Sequence, residues 1–443
     1  MKLNILILIA TLFFTACGSS GNKGVNSVES GSTQFISATV LEDVNTSTML
    51  TVIKSSIDAG ATNAFGYKAI KITYNTVGEN DEAVVASGLL VIPTASDAYK
   101  AYLASLGKAF SVSMICENHG TIFTNAEAPS NVEKTNGLPD YPTAILMTGF
   151  AGFAAIIPDY IGYGASNNIA HPYMLKKSSA RASLDMIKAS MKYMNDNHIV
   201  LNYQLYISGY SEGGYCAMAL AQKVEKSFST NVNLMGVAPM AGPHNLEKFA
   251  TIELNSSKIM PYPAFLAYVA DSYAYYNKSI NLSDLVNETN TTLYHSLFDG
   301  SKTSIEIHTA LGLVTDARGG FNQHTPDALF KSSFLNDYEN NANNVLRVAF
   351  AKNRTDDWIP KSKINLIQCV DDDIIPFSMS QDAYNSFIAK GVSSSQITLS
   401  PIPTSILTQQ QDAAHPFIHA NCGNTAYGAA VKWFDEIRQG KIK

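Results

Sequence analysis

Apolar residues in this chain collect into short runs, and the stretches between them follow helical spacing. Tyr67–Thr76 alternates apolar and polar positions, and Ala83–Pro93 forms a second strand-like run that ends in Leu89–Leu90–Val91–Ile92. Gly78–Glu79–Asn80–Asp81 lies between them as a turn, so residues 67–93 predict a hairpin or meander. Val112–Cys116 and Ala154–Pro158 are short apolar strands, halted at Glu117–Asn118–His119–Gly120–Thr121 and at Asp159. A helix is predicted over about 178–198, followed by a strand through Leu205–Tyr206–Ile207 and a helix in which Ala217, Leu220, Ala221 and Val224 recur at helical spacing. Further strands are expected at Met235–Pro239, Ile364–Val370 and Gln396–Pro401. A terminal amphipathic helix is expected from about Asn424, read as its N-cap, with Val431, Phe434 and Ile437 on the apolar face. Strands alternating with helices predict an α/β fold whose mostly parallel sheet is covered on both faces.

Residues 244–345 break this rhythm. They are rich in Tyr, Asn and Ser, hold helix-like pieces at Ala264–Tyr276 and Ile305–Leu313, and lack clear buried strands. An insertion between late strands, on the carboxyl-end side of a sheet, would sit as a mainly helical cap over a site there. The resulting division is 36–243 and 346–443 as two parts of one α/β core, with 244–345 as the cap. Residues 1–16 read differently again: Lys2 is followed by a mostly apolar Leu3–Phe14, too short for a membrane span of ~20 residues, as in a signal peptide. Residues 17–35 then form a flexible tether.

Composition narrows the classes. The 443 residues are 46% hydrophobic, enough for a large core, and only 15% are charged. With a formal charge of −6 and no basic stretch, nucleic acid is not an expected partner. The histidines are scattered without H-E-x-x-H, and no cysteine spacing suits zinc, so neither a metal nor a cofactor is expected. Cys116, Cys216, Cys369 and Cys422 remain beyond the signal region, and four cysteines allow three full pairings.

The strongest chemical signal is Ile207–Ser208–Gly209–Tyr210–Ser211–Glu212–Gly213–Gly214. It places Ser211 inside G-x-S-x-G, between a strand and a helix, which is the context of a nucleophile elbow. Such a turn needs small neighbours, which Gly209 and Gly213 supply, and it lifts the hydroxyl toward the helix N-terminus. There the N–H of Glu212 can bind a developing oxyanion.

Other segments fit the same picture: Val85–Pro93, the His119–Gly120–Thr121 loop, Ala128–Pro129–Ser130, Pro158–Ser166 and His171–Pro172–Tyr173. Together with the elbow and the acidic run Asp371–Asp372–Asp373, they make the chain resemble the secreted lipase and esterase branch of the α/β-hydrolases over roughly residues 65–440. The resemblance implies hydrolysis of carboxylic esters, including lipid esters, by a serine, an acid and a histidine in that chain order. The pattern D-x-x-(V/I)-P selects Asp372, four residues before Pro376, over Asp371 and Asp373. The loop before the last helix offers His415 and His419 as the base, and His419 is preferred. The second oxyanion donor is the N–H of Thr121 or of Gly120, with His119 expected to pack or orient. If Asp372 and His419 meet, a Cys369–Cys422 disulfide becomes geometrically reasonable, the alternative being four free buried cysteines. The sequence departs from relatives at Cys369, where glycine is common, and in the cap, which leaves the substrate-binding residues open. Phe14–Thr15–Ala16–Cys17–Gly18 resembles a bacterial lipobox, which implies a lipidated Cys17 and an anchored protein at the outer membrane. A serine peptidase and a non-catalytic surface lipoprotein on the same fold are the competing expectations.

Overall fold

The computed structural model describes residues 34–131, 134–135, 138–139, 142–255, 257–288, 291–313, 324–412 and 416–442. Cys17 with its lipobox, and His415, lie outside the described residues.

One large sheet organises the described chain. Its strands are β1 (Phe35–Val44), β2 (Gly66–Val77), β3 (Ala83–Thr94), β4 (Val112–Asn118), β5 (Ala154–Pro158), β6 (Leu201–Tyr210), β7 (Asn233–Met240), β8 (Ile364–Cys369) and β9 (Ile397–Ile402). The spatial order is β1-β2-β3-β5-β4-β6-β7-β8-β9. The first four in that order pair antiparallel, and from β5 onward every pairing is parallel. The parallel strands β4, β5 and β8 are buried at every position, as expected where both sheet faces are covered.

Side chains alternate between the two faces. Met114, Cys116, Leu205 and Ile207 join the helices Lys176–Asp196 and Glu212–Ser227 in one core cluster. Ile115 and Tyr206 point the other way, to Val431 and Phe434 of the terminal helix Ile418–Arg438. Register then aligns the carboxyl ends of the central strands: Asn118 of β4 pairs with Gly209 of β6, Tyr210 with Met240 of β7, and Ile367 of β8 with Met240. Ser211 therefore emerges with the end of β4 on one side and those of β7 and β8 on the other.

Between β7 and β8 the described residues carry helices at Leu246–Glu253, Pro263–Tyr276, Ser304–Ala310, Ser332–Asn340 and Val345–Lys352, with two isolated β-bridges. Their buried faces form a separate apolar cluster that also takes in Tyr160, Tyr163, Tyr173 and Tyr215 of the α/β body. Leu346, Ala349 and Phe350 join it, so the helical segment continues past residue 345.

Three features differ from the sequence expectation. β1 occupies residues assigned to the tether and the first core stretch; as a mostly exposed edge strand it has no clear alternation to betray it. Helices Thr46–Ser56 and Asp97–Ser105 also lie outside the expected elements; the first buries Met49 and Ile53, the second only Leu103. The terminal helix begins at Ile418, not near Asn424, which sits within it. The cause is a tertiary cap: the Asp373 carboxylate accepts from the N–H groups of Ile418 and His419 at 3.1 and 3.0 Å. His419 thus stands in the first helical turn rather than in a loop.

Candidate active site

Ser211 has φ 60° and ψ −122°, a conformation that costs a residue with a Cβ about 1–3 kcal/mol. The surroundings enforce it. The Ser211 N–H donates to the Met240 carbonyl at 2.9 Å, and the Ser211 carbonyl accepts from Gly214 and Tyr215 at 2.9 and 3.2 Å. A Cβ on Gly213 would lie 1.9 Å from the Asn118 carbonyl oxygen, so only glycine lets the helix start this close to β4. Ser211 stays half-buried while Glu212 behind it is buried. With Gly214 and Tyr215 bonded to the Ser211 carbonyl, the N–H groups of Glu212 and Gly213 are the ones that begin the helix without an intrahelical acceptor.

The three adjacent acids have three different roles. Asp371 is exposed and accepts from the Thr404 hydroxyl at 2.8 Å. Asp373 caps the terminal helix, as above. Asp372 meets His419: its two oxygens lie 2.9 and 2.8 Å from Nδ1. The same carboxylate accepts the N–H groups of Ile374 and Ile375 at 3.1 and 2.9 Å, and Gln368 Nε2 lies at 3.3 Å. A carboxylate only accepts, so Nδ1 of His419 carries a proton, and in the neutral imidazole Nε2 presents a lone pair. That Nε2 is buried and has no hydrogen-bond partner among the described residues. Tyr210, next to Ser211, donates its hydroxyl to the His419 carbonyl at 2.7 Å and packs its ring 5.0 Å from the imidazole, which ties His419 to the residue before Ser211. Cys369 and Cys422 are joined in a disulfide with Cα atoms 6.2 Å apart, tying the end of β8 to the helix that carries His419. Cys116 and Cys216 are free and buried.

Gly120 brings the loop after β4 against Ser211: a Cβ there would sit 3.8 Å from Ser211 Cβ. The adjoining Thr121 is held by its hydroxyl, 2.8 Å from Tyr173 Oη. His119 packs its ring on Tyr160 at 4.2 Å, and its Nδ1 lies 2.8 Å from the Gly120 carbonyl.

The segments around β3, Ala128–Ser130 and Pro158–Ser166 are joined by one buried side chain. Asp159, fully buried, accepts from Ser87 Oγ (2.5 Å), Ser130 N–H (2.8 Å) and Ser130 Oγ (2.6 Å). One carboxylate thereby ties the β3, Ala128–Ser130 and Pro158–Ser166 segments together. Gly164, at φ 58°, is required beside it, since a Cβ would fall 2.1 Å from Asp159 Oδ2. Gln368 was missed altogether; it donates to the Ile375 carbonyl at 2.6 Å and accepts from Ser380 Oγ at 2.6 Å, bracing the Asp372 loop. An apolar wall also borders that loop, where Ile374 and Ile375 pack with Phe249, Tyr262, Phe265 and Phe417. Phe249, Tyr262 and Phe265 belong to the inserted helices.

Residues 142–442 match the family model described as secretory lipase. No curated protein matches in sequence. Among solved structures, the rice cell wall degrading esterase LipA from Xanthomonas oryzae superposes with a TM-score of 0.75 at 21% identity, covering 90% of this chain and 97% of that one. A protein described as a hydrolase from Legionella pneumophila gives a TM-score of 0.72 at 22% identity, with 91% and 98% covered. Candida antarctica lipase A is more distant, at a TM-score of 0.56 and 15% identity over 84% of this chain and 76% of that one. The sheet order and these likenesses make the fold that of the α/β-hydrolases.

Proposed function

Because the chain belongs to the secretory lipase family, we propose that it hydrolyses carboxylic esters with Ser211 as nucleophile, His419 as base and Asp372 as the acid that orients it. The observation that carries this reading is the Asp372–His419 pairing at 2.8 and 2.9 Å, which leaves Nε2 of His419 without a hydrogen-bond partner among the described residues, on an imidazole that packs against Tyr210 beside the strained Ser211. Ser211 Oγ attacks the ester carbonyl as Nε2 takes its proton, and Asp372 stabilises the imidazolium that forms. The N–H groups of Glu212 and of Thr121 or Gly120 receive the oxyanion, each worth ~3 kcal/mol in comparable sites. The imidazolium then protonates the leaving alkoxide, and water, deprotonated by the same histidine, releases the acid from Ser211. The apolar wall of Phe249, Tyr262, Phe265, Ile374, Ile375 and Phe417 suits the acyl or alcohol chain of the ester. Membership of a secretory family supports export, and the lipobox-like Phe14–Cys17 supports a lipid anchor on Cys17.

The test joins a fluorophosphonate probe with a chain-length series of p-nitrophenyl esters and aminoacyl amides. Wild type should take one label and prefer esters. Ser211→Ala should fold, take no label and lose activity by about 10⁴-fold or more. A folded Ser211→Ala that keeps most of its turnover, or a preference for amides, would overturn the assignment. Metabolic labelling with a palmitate analogue should mark the wild-type chain and not Cys17→Ser; an unmarked wild type refutes the anchor.

A further inference from the structure

The elbow residue Glu212 lends its amide to the proposed oxyanion hole, yet its side chain runs into the interior. It is 1% exposed, and Oε1 lies 2.9 Å from Nε2 of His171, itself 4% exposed. The other ring nitrogen, Nδ1, is 2.7 Å from the Ile161 carbonyl. A carbonyl only accepts, so Nδ1 holds a proton; a contact between Nε2 and a carboxyl oxygen needs a second proton between them. The two residues share that proton and are neutral as a pair, which is how a carboxyl group is tolerated at this depth.

The same imidazole is enclosed by the rings of Tyr160, Tyr163, Tyr173 and Tyr268, at centroid distances of 5.9, 5.1, 5.9 and 5.8 Å. Tyr163 donates to the Ile122 carbonyl at 2.6 Å, so the bond of 2.9 Å between Tyr163 and Tyr268 hydroxyls has Tyr268 as donor. Tyr173 holds the Thr121 hydroxyl at 2.8 Å, and its ring stacks on Tyr268 at 4.5 Å. Burial pushes the Tyr163, Tyr173 and Tyr268 phenols well up, so all three stay protonated. Tyr268 belongs to the inserted helix Pro263–Tyr276. Both sides of the proposed hole, Glu212 on one and Thr121–Ile122 on the other, therefore hang from one buried cluster, and one member of it, Tyr268, comes from the insertion.

We propose that His171, Tyr163, Tyr173 and Tyr268 are positioning residues for the oxyanion hole, and that the inserted helices act through Tyr268 on the rate of ester cleavage as well as on access to the site. This rests on the esterase reading above. A donor displaced by ~1 Å loses much of its value to the transition state and little of its value to the ground state. The expected signature is a fall in kcat with KM nearly unchanged.

The experiment compares wild type, Glu212→Ala, Glu212→Gln and Tyr268→Phe, each with a thermal melt, p-nitrophenyl ester kinetics and the affinity of an aryl boronic acid that mimics the tetrahedral intermediate. Glu212→Ala leaves Nε2 of His171 without a partner and should lower kcat about 10- to 100-fold with KM within about threefold. Glu212→Gln keeps an N–H toward a neutral imidazole and should lose only about threefold. Tyr268→Phe removes a single hydroxyl in the insertion and should lower kcat by about threefold to tenfold. Boronate affinity should fall in proportion to kcat/KM across the set. Folded Glu212→Ala and Tyr268→Phe variants with wild-type kcat would overturn the proposal, as would losses in kcat/KM that boronate affinity does not follow. Should Glu212→Ala fail to fold, Tyr268→Phe decides alone. A wild type that neither cleaves esters nor takes the fluorophosphonate label would instead overturn the esterase reading and this inference with it.

Discussion

Replacing the three adjacent acids one at a time with asparagine should separate chemistry from scaffolding. Asp372→Asn is nearly isosteric and keeps an oxygen for the Ile374 and Ile375 amides, but its NH2 group faces Nδ1 of His419. The imidazole then adopts the other tautomer, with its proton on Nε2, and cannot accept the proton of Ser211. In comparable triads this exchange costs about 10⁴ in kcat, or ~5.5 kcal/mol. Asp373→Asn retains an acceptor for one of the N–H groups of Ile418 and His419 and loses the other capping bond together with the charge at a helix N-terminus. The two losses are worth ~1–2 kcal/mol of stability, with activity held within about tenfold. Asp371→Asn changes an exposed contact to Thr404 and should stay within ~0.5 kcal/mol, with activity unaltered. Steady-state kinetics on a p-nitrophenyl ester, with a thermal melt for each variant, measure both effects. An Asp373→Asn enzyme as impaired as Asp372→Asn, or an Asp372→Asn enzyme within tenfold of wild type, would refute the assignment of roles.

Other expectations follow from single contacts. Gly213→Ala drives a methyl group into the Asn118 carbonyl, 1.9 Å from its Cβ position, and should destabilise the fold by ~3 kcal/mol or more; a wild-type melting temperature would contradict the elbow geometry. The Cys369–Cys422 bridge spans a sequence separation of 53, so its removal should cost about 4 kcal/mol in the chain-entropy account; identical melts of oxidised and reduced protein would contradict this. Burial lowers the pKa of His244 from 6.5 to about 4, so the unfolded chain takes up a proton there before the folded one does. The stability held by neutral His244 is therefore complete above pH 6.5 and lost as the pH falls toward 4, by about 2 kcal/mol at pH 5. Melts at pH 7 and pH 5 should differ less for His244→Gln than for wild type, and equal differences would exclude the effect.

Local regularities of this chain were legible in the sequence because they depend on neighbours. The strand Gly66–Val77 follows from alternation, the central strands from short apolar runs, the helix Glu212–Ser227 from its 3.6 period, the elbow from its glycines, and the inserted helices from the break in rhythm after β7. Asp372 and His419 were legible only through a resemblance, since nothing local distinguishes Asp372 from Asp371 and Asp373. The tertiary structure separates them by partners far along the chain: Thr404 for Asp371, His419 for Asp372, and the start of the terminal helix for Asp373. That last contact also explains why the helix begins at Ile418, since the cap comes from a loop 45 residues earlier. The pairs His171–Glu212, 41 residues apart, and Tyr163–Tyr268, 105 apart, are likewise products of packing. Buried polar groups must find partners, but which partner each finds depends on how the sheet and the inserted helices close around them, and no local pattern encodes that.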